Sequence, residues 1–426
     1  MLSPTATSFT QMAPPPRRPS PPNLAPQLTF VLHDAGETKA MQPVMNALEQ
    51  ERVNYSILAD ATAATLLRGN PHLVKLPAGV SSPSDMVSLA NALPVGGMPS
   101  LPKAQAIACL QQLRSSRCVI TGLVSEFQKA WASFFKQGNQ PVIGYYNGFH
   151  CNPNDTIAEN FLDSRSPSKL DVLMTPSEDT ANFFRRRVQE LNPAQPVTPI
   201  FAMGQPVLEA TSKAIQATDP TALAARLGIN LQKPTILFVG GYGPHYPEAF
   251  RLFCQTMRQF ANANVLVALH PKASGALEAR LLAENPMPNP IKLVPRDIDA
   301  TQLLALSPVV LAQDSTFVTQ AVLQGQKATF IGEPVSNAPG GFNPLVAKGV
   351  VSREKDPARL AAFIQQAITS RTFYNTAANQ PVNRSPTDLA TLQSYLGIPP
   401  QATRRIVAYL KAFLSPNAST TAQASA

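Results

Sequence analysis

The sequence predicts an α/β protein in which two doubly wound domains face each other across a cleft, followed by closing helices. Three observations predict this fold class. The chain has 426 residues, about twice the usual size of one domain. Short apolar runs alternate with helical patterns, as in parallel sheets covered on both faces. The alternation stops at residues 209–234, which contain no strand pattern, and then begins again.

The first series of predicted strands begins with LTFVLHD. A helical pattern follows it, in which Val44, Met45 and Leu48 share one face. The runs VNYSILAD, CVITG, PVIGYY, DVLMTPS and VTPIFA come next, most of them with a helix after the strand. The second series comprises TILFVGG, NVLVALHP, IKLVP, PVVLAQD and KATFIGE. Each series is typical of one doubly wound sheet.

Proline-rich and small-residue stretches mark both ends of the chain. Residues 1–26, which include APPPRRPSPPNLAP, are predicted to form a disordered arm, and residues 416–426 a disordered tail. Between them we predict an N-terminal domain over 27–207, a second domain over 208–384 and closing helices over 385–415.

The composition restricts the class of partner. Apolar residues make up 44% of the chain, which is enough for two cores. The 35 Lys and Arg residues outnumber the 26 Asp and Glu residues, so an anionic ligand is plausible. The basic residues are scattered and not interleaved with aromatic ones, so we predict no nucleic-acid groove. The four cysteines lack the spacing of a zinc site or a disulfide framework, which favours a reducing compartment.

The last predicted helix has two interpretations. Ile406, Leu410 and Phe413 line one of its sides, with basic residues elsewhere. It either packs back across the domains or rests on a membrane as a basic amphipathic helix. No apolar run approaches 18 residues, and the N-terminus shows no signal-peptide pattern. We therefore expect a soluble, cytoplasmic body, with peripheral membrane contact as the alternative.

Candidate functional residues collect where predicted strands end, because ligands of open parallel sheets bind beyond the carboxyl ends of the strands. The first such loop, VLHDAGETK, contains His33, Asp34, Gly36 and Glu37. One of its acids or its imidazole could act as a general base. Asp34 or Thr38 could instead simply cap the helix that follows.

A second loop, FVGGYGPHYPEAF, contains Gly240, Gly241 and Gly243 between a strand and a helix. Glycines there let the backbone approach a phosphate closely. The loop is not a dinucleotide-binding fingerprint, because the third glycine is missing and no ribose-binding acid follows at the expected distance.

A third loop follows the strand in NVLVALHPKASG. Pro271 ends this strand by removing a backbone donor, which leaves His270 and Lys272 at the carboxyl edge of the sheet. Both side chains can donate to anionic oxygens, and Lys272 would act as a point charge for a phosphate. A histidine at a strand end can also be purely structural.

The fourth loop lies in VVLAQDSTFVTQAVLQGQKATFIGE, where Asp314, Ser315 and Thr316 stand between a strand and a helix. Their hydroxyls and the free amides can face one anion together. Capping alone would explain one of the three residues. We expect the four loops to face one cleft, with an acid and an imidazole from the first domain and phosphate-holding groups from the second. This arrangement suits transfer from a phosphate-activated donor.

The chain resembles the two-domain GT-B glycosyltransferases, built from Rossmann-like domains, over roughly residues 27–415. The acid and glycine of its first loop, the His-Pro pair and the Ser-Thr pair look like the motifs of bacterial sialyltransferases and capsule polymerases. The segment DSTFVTQAVLQGQKATFIGE is also similar to the donor-binding segment of non-hydrolysing UDP-N-acetylglucosamine 2-epimerases and lipid A disaccharide synthase. Two departures exist: Gln320 and Gln324 stand where such enzymes often have an acid, and HDAG is not the doubled acid of the sialyltransferases.

The resemblance implies an inverting glycosyltransferase that moves a hexosyl or sialyl group from a nucleotide sugar to a hydroxyl of a glycan, lipid or protein. Asp34 would be the base, with Glu37 or His33 as substitutes. The donor phosphates would meet the second, third and fourth loops. No pair of acids resembling DxD ends a strand of the second domain, so we expect no metal and no cofactor besides the donor.

Two alternatives stay open. A sugar-nucleotide epimerase would need no acceptor. A non-catalytic protein of the same fold would bind ligands without turnover, with the proline-rich arm as its partner-binding element.

Overall fold

Two six-stranded parallel sheets form the two halves of the protein in a computed structural model. The predicted disordered arm and tail, residues 1–26 and 416–426, lie outside the described residues. The structure describes residues 27–92, 101–194, 197–243, 245–334, 341–369, 374–375, 380–381 and 386–414.

The first sheet has the strand order β2-β1-β3-β4-β5-β6. The chain adds β2 on one side of β1 and β3 on the other, so the order reverses between β1 and β3. A reversal of this kind opens a crevice at the carboxyl ends of the two strands, where ligands bind. The strands are Leu28–Leu32 (β1), Tyr55–Ala59 (β2), Cys118–Thr121 (β3), Val142–Tyr145 (β4), Val172–Thr175 (β5) and Ile200–Ala202 (β6).

The second sheet has the order β12-β11-β10-β7-β8-β9. Its order reverses between β7 and β10, which places a second crevice beside the loops after these strands. The strands are Thr235–Val239 (β7), Asn264–Ala268 (β8), Ile291–Leu293 (β9), Val309–Ala312 (β10), Lys327–Ile331 (β11) and Ser352–Glu354 (β12). A small antiparallel pair, Tyr374–Asn375 (β13) and Gln380–Pro381 (β14), stands apart from both sheets.

Helices follow most of the strands, as the alternating pattern predicts. In the first half they are Ala35–Gln50 (α1), Ala61–Leu66 (α2), Pro83–Asn91 (α3), Leu101–Arg114 (α4), Glu126–Gln137 (α5), Ile157–Phe161 (α6) and Glu178–Leu191 (α7). The remaining helices are Pro206–Ala217 (α8), Pro220–Leu227 (α9), Tyr246–Met257 (α10), Ala276–Glu284 (α11), a 3₁₀ helix at Ala300–Ala305, Phe317–Leu323 (α12), Pro344–Ala347 (α13), Pro357–Thr369 (α14), Pro386–Tyr395 (α15) and Ala402–Leu414 (α16).

Each sheet separates two hydrophobic cores. Trp131 lies in one core of the first sheet and Met41 in the other. In the second sheet, Leu266 and Phe253 belong to opposite cores. Burial on both faces explains why the strands are continuous apolar runs rather than alternating ones.

Helix α16 returns from the second half and packs against the first. Ile406, Val407 and Leu410 are buried in the same core as Met41. The apolar side of α16 is therefore covered, and the interpretation as a membrane-resting helix is not supported. Among the described residues, no helix combines the length and the apolar character that crossing a membrane requires.

Polar contacts join the two halves. Lys39 in α1 lies 3.3 Å from Asp299, just before the 3₁₀ helix. The backbones of Cys151 and Phe342 exchange two hydrogen bonds of 2.9 Å, which form an isolated antiparallel bridge. The bridge ties the loop after β4 to the second half.

The connection at residues 203–205 leads into α8, where the predicted domain boundary near residue 207 falls. Gly204 has φ +89°, a left-handed conformation that favours glycine. A Cβ atom there would lie 2.4 Å from the carbonyl oxygen of Pro399, between α15 and α16. The connection at residues 203–205 therefore contacts the segment between α15 and α16 at Gly204, where there is no room for a side chain.

We predict that Gly204→Ala lowers the free energy of unfolding by more than Gly79→Ala does. Gly79 has φ +79° but nothing within 4 Å of its Cβ position, so both variants carry backbone strain and only Gly204→Ala adds a clash. The clash should add about 1–3 kcal/mol. Urea denaturation measures both variants, and equal losses would contradict the proposed linker contact.

Candidate active site

A cavity of about 350 Å³ lies between the carboxyl edges of the two sheets. All four loops singled out in the sequence contribute to its wall. The predicted residues that line it are Asp34 and Gly36 from the first half, and Gly240, Gly241, His270, Lys272, Asp314, Ser315 and Thr316 from the second. Parallel pairing explains the convergence, because the strands of a parallel sheet all end at the same edge.

Asp34 both caps α1 and faces the cavity. Its Oδ1 accepts from the backbone N–H of Glu37 at 2.9 Å, and its own backbone N–H donates to Glu37 Oε1 at 3.1 Å. This reciprocal arrangement is a capping box. Capping holds one oxygen of Asp34 and so fixes the orientation of its carboxylate toward the cavity.

Glu37 does not line the cavity, although it was predicted as a substitute base. Its side chain is 2% exposed and accepts from Nε2 of Gln128 at 2.7 Å. A Cβ atom on Gly122 would lie 1.7 Å from Glu37 Oε2, so the glycine leaves room for the buried carboxyl. Burial, with repulsion from Asp34 as a smaller cause, raises the pKa of Glu37 to about 8. Glu37 is thus a buried acid behind Asp34.

His33, the other predicted substitute, also lies outside the cavity lining. Its Nδ1 is 2.6 Å from Oδ1 of Asp60, which follows β2. Consecutive residues at the end of β1 point to opposite sides, so Asp34 turns toward the second half and His33 toward β2. The structure therefore brings only Asp34 of the three predicted acid or base residues into the cavity wall.

The glycines of the second loop have different roles. Gly240 and Gly241 line the cavity, whereas Gly243 is not among the lining residues and adopts φ +109°. A Cβ atom on Gly240 would lie 3.0 Å from the backbone nitrogen of His270. Because Gly240 has no side chain, the loop after β7 can approach the loop after β8 closely. The glycine therefore serves this contact in addition to leaving room for a phosphate.

His270 is held as a neutral hydrogen-bond donor. Its Nδ1 accepts from the backbone N–H of Lys272 at 3.1 Å, so the proton of the neutral ring lies on Nε2. Burial and the nearby Lys272 ammonium lower the pKa of His270 to about 4, although Asp34 opposes this. The centroid of the Tyr242 ring lies 4.5 Å from the centroid of the imidazole and 5.4 Å from Lys272 Nζ.

Asp314 is paired with a cation that the sequence analysis missed. Arg353 Nη2 lies 2.5 Å from Asp314 Oδ1, and the two side chains are 14% and 12% exposed. The same guanidinium donates to the carbonyl oxygens of Gln313 at 3.0 Å and Gly332 at 3.2 Å. Arg353 thus fixes the loop after β10, and Asp314 supports that loop while also lining the cavity.

Ser315 and Thr316 present hydroxyls to the cavity. Ser315 Oγ accepts from the backbone N–H of Phe317 at 3.2 Å, which leaves its proton available. Thr316 is the N-cap residue of α12 but its side chain makes no capping hydrogen bond. Because α12 has only seven residues, the hydroxyls rather than the helix dipole are the groups at this position that can hold an anion.

The loop after β4 contributes a polar wall that the sequence analysis did not single out. Asn147, His150, Asn152 and Asp155 line the cavity. Asn152 Nδ2 donates to Asp155 Oδ1 at 3.0 Å. Burial raises the pKa of Asp155, against the attraction of His150. The available signal was the polar sequence NGFHCNPND directly after a predicted strand.

Solved structures with the same architecture come from several bacteria. The UDP-GlcNAc 2-epimerase of Neisseria meningitidis bound to UDP-GlcNAc matches with a TM-score of 0.59 and 12% identity, over 89% of this chain and 98% of that one. Staphylococcus aureus MnaA with UDP has a TM-score of 0.58 and 11% identity, over 91% and 97%. A glycosyltransferase of Rickettsia africae has a TM-score of 0.58 and 11% identity, over 92% and 99%.

These likenesses show the fold. No protein-family model matches the sequence, and no curated protein sequence matches it significantly. The chain has the GT-B fold, with two Rossmann-like domains across a cleft and closing helices, and the predicted fold class is confirmed.

We predict that the imidazole of His270 titrates near pH 4 in an NMR titration of its ring protons, against an ordinary value of 6.5. Since burial is the larger cause and Lys272 the second, Lys272→Met should raise this pKa without restoring the ordinary value. Protonation favours the unfolded chain between these two pH values, so His270 should make the protein less stable as pH falls from 6.5 toward 4. Between these two pH values the His270→Gln variant should therefore lose less stability than the wild-type protein. A pKa of His270 near its ordinary value would contradict its assignment as a buried, neutral donor.

Proposed function

We propose that the protein is an inverting, metal-independent glycosyltransferase that moves a sugar from a nucleotide-activated donor to an acceptor hydroxyl. One observation carries the proposal: the carboxylate of Asp34 and the donors of His270, Lys272, Ser315 and Thr316 line one cavity from opposite halves. A base on one wall and an anion-binding group on the other are what displacement at an anomeric carbon needs.

In the proposed reaction, the acceptor oxygen attacks the anomeric carbon as its proton passes to Asp34. The bond between the anomeric carbon and the donor phosphate oxygen breaks, and the bonding electrons leave with the nucleotide. A single displacement of this kind inverts the anomeric configuration. The acceptor hydroxyl belongs to a glycan, a lipid or a protein.

The growing charge on the nucleotide phosphate is met by the second half. His270 donates from Nε2, Ser315 and Thr316 donate hydroxyl protons, and Lys272 supplies a full positive charge. Because His270 is neutral, it stabilises the phosphate by hydrogen bonding and adds no charge of its own. Preorganised donors of this kind contribute about 2.7–4 kcal/mol each to lowering a barrier. No step of the proposed mechanism uses a metal.

Epimerisation of a nucleotide sugar is the second candidate function. The position of Asp155 in the cavity wall favours it. A second carboxylate in the same cavity could move a proton on the sugar itself. Epimerisation needs no acceptor. Incubating the protein with a nucleotide sugar alone, and analysing the sugar by NMR, tests the second reaction: an isomerised sugar supports epimerisation, and an unchanged one argues against it.

We predict that Asp34→Asn lowers kcat for transfer about 10²- to 10⁴-fold, the usual contribution of a general base, with nucleotide affinity unchanged. Asparagine caps helices as well as aspartate does, so the variant removes the base and keeps the N-cap. Asp219→Asn is the matched control, because Asp219 also caps a helix, accepting from the backbone N–H of Thr221 at the start of α9, and does not line the cavity.

The measurement is radiolabelled transfer together with calorimetric binding of the nucleotide. Full activity in Asp34→Asn would contradict the assignment of the base. A wild-type protein that binds nucleotides but shows neither transfer nor epimerisation would instead support a non-catalytic binding protein.

A further inference from the structure

Two buried oxygens in the cavity wall have no hydrogen-bond partner. Gln313 and Thr319 line the cavity and are 2% and 1% exposed. Gln313 Nε2 donates to the carbonyl oxygen of Glu333 at 3.0 Å, which fixes the amide so that Oε1 is the atom left over. Neither Gln313 Oε1 nor Thr319 Oγ1 finds a partner among the described residues.

Such oxygens are costly unless a ligand satisfies them, because a buried acceptor without a donor keeps its desolvation penalty. Gln313 Oε1 lies next to the glycine loop, 3.6 Å from where a Cβ of Gly241 would stand. Thr319 Oγ1 can donate or accept a hydrogen bond, whereas Gln313 Oε1 can only accept one, and a phosphate carries no hydrogen to donate at neutral pH. The part of the ligand that meets Gln313 Oε1 must therefore carry a hydroxyl or N–H group.

The opposite wall has the same preference for hydrogen-bond donors. Asp34 and Asp155 present carboxylates to the cavity from the first half. Among the described residues of the lining, Lys272 is the one ammonium or guanidinium group, and the donor phosphate requires it. A carboxylate on the sugar would therefore face two like charges, with no second ammonium or guanidinium group in the described lining to pair with it.

We propose that the sugar bound in this cavity is neutral and rich in hydroxyls, a hexose or N-acetylhexosamine rather than a sialic or uronic acid. This inference rests on the proposed function, since it takes the phosphate end of the cavity to hold a nucleotide. It selects hexosyl transfer over sialyl transfer. The hydroxyls of a neutral sugar satisfy Gln313 and Thr319 on one side and the carboxylates on the other.

The test compares sugars that differ only at C6. UDP, UDP-glucose and UDP-glucuronate are titrated calorimetrically into the full-length protein, together with GDP, GDP-mannose and GDP-mannuronate. For the nucleotide that binds, we expect the neutral sugar to bind roughly 10-fold or more tightly than the uronate, because like charges in one site repel. Equal or tighter binding of the uronate overturns the inference and leaves the proposed function intact. Binding of none of the six compounds would overturn the inference, and a further failure of ADP, CMP and dTDP to bind would refute the proposed function as well.

Two variants locate the discrimination. Asp155→Asn should reduce the preference for the neutral sugar, while affinity for the free nucleotide stays unchanged. Glu126→Gln is the matched control, because it removes a carboxylate of the same half whose side chain is 86% exposed and outside the lining. An unaltered preference in Asp155→Asn would contradict the role assigned to this wall.

Thr319→Val separates a ligand contact from a structural role. Removing a hydroxyl that has no partner should leave the melting temperature unchanged or raise it. Affinity for the neutral nucleotide sugar should nevertheless fall about 3- to 10-fold, the value of one hydrogen bond, with no change for the free nucleotide. A lower melting temperature with unchanged sugar affinity would show that the hydroxyl supports the fold and does not contact the sugar.

Discussion

Parallel pairing is the constraint on which this molecule depends, because it makes all the strands of a sheet end at the same edge. The order of each sheet reverses once, between β1 and β3 and between β7 and β10, and the loops beside each reversal are free to project. The two edges face each other, so loops separated by more than 200 residues in sequence share one cavity. The chemistry of the site then follows from which side chains stand directly after the strands.

That constraint also decides what the sequence can predict. Apolar strand runs and the turns that follow them are local signals, so the fold class and the cavity positions of Asp34, His270 and Ser315 could be inferred. The capping box was readable too, since Asp34 and Glu37 have the spacing that the motif requires. Reading it would have placed Glu37 beneath the helix start rather than in the site.

Other features depend on contacts that no local pattern reveals. Arg353 in β12 reaches Asp314, which lies 39 residues away after β10 with strand β11 between them, and this pair makes Asp314 a support for its loop. The partner of His33 is Asp60, which follows the neighbouring strand β2 and which no local pattern around His33 identifies. Asn147 and Asp155 lie in the loop after β4, a strand that the sequence predicts. Their residue types and spacing match no known catalytic or ligand-binding motif, so the sequence did not identify them.

Both polar and apolar contacts hold the two halves together beside the cavity. An exposed ion pair such as Lys39 with Asp299 contributes about 0–1 kcal/mol, and each backbone hydrogen bond of the bridge between Cys151 and Phe342 about 0.5–1.5 kcal/mol. Apolar packing surrounds this bridge, because Phe149 of the first half is buried in a core of the second half and Phe342 packs against a core of the first. The buried packing of α16 on the first half joins the two halves behind the cavity. Buried apolar side chains therefore contribute to both connections, so the relative positions of the two cavity walls depend on them more than on the exposed ion pair.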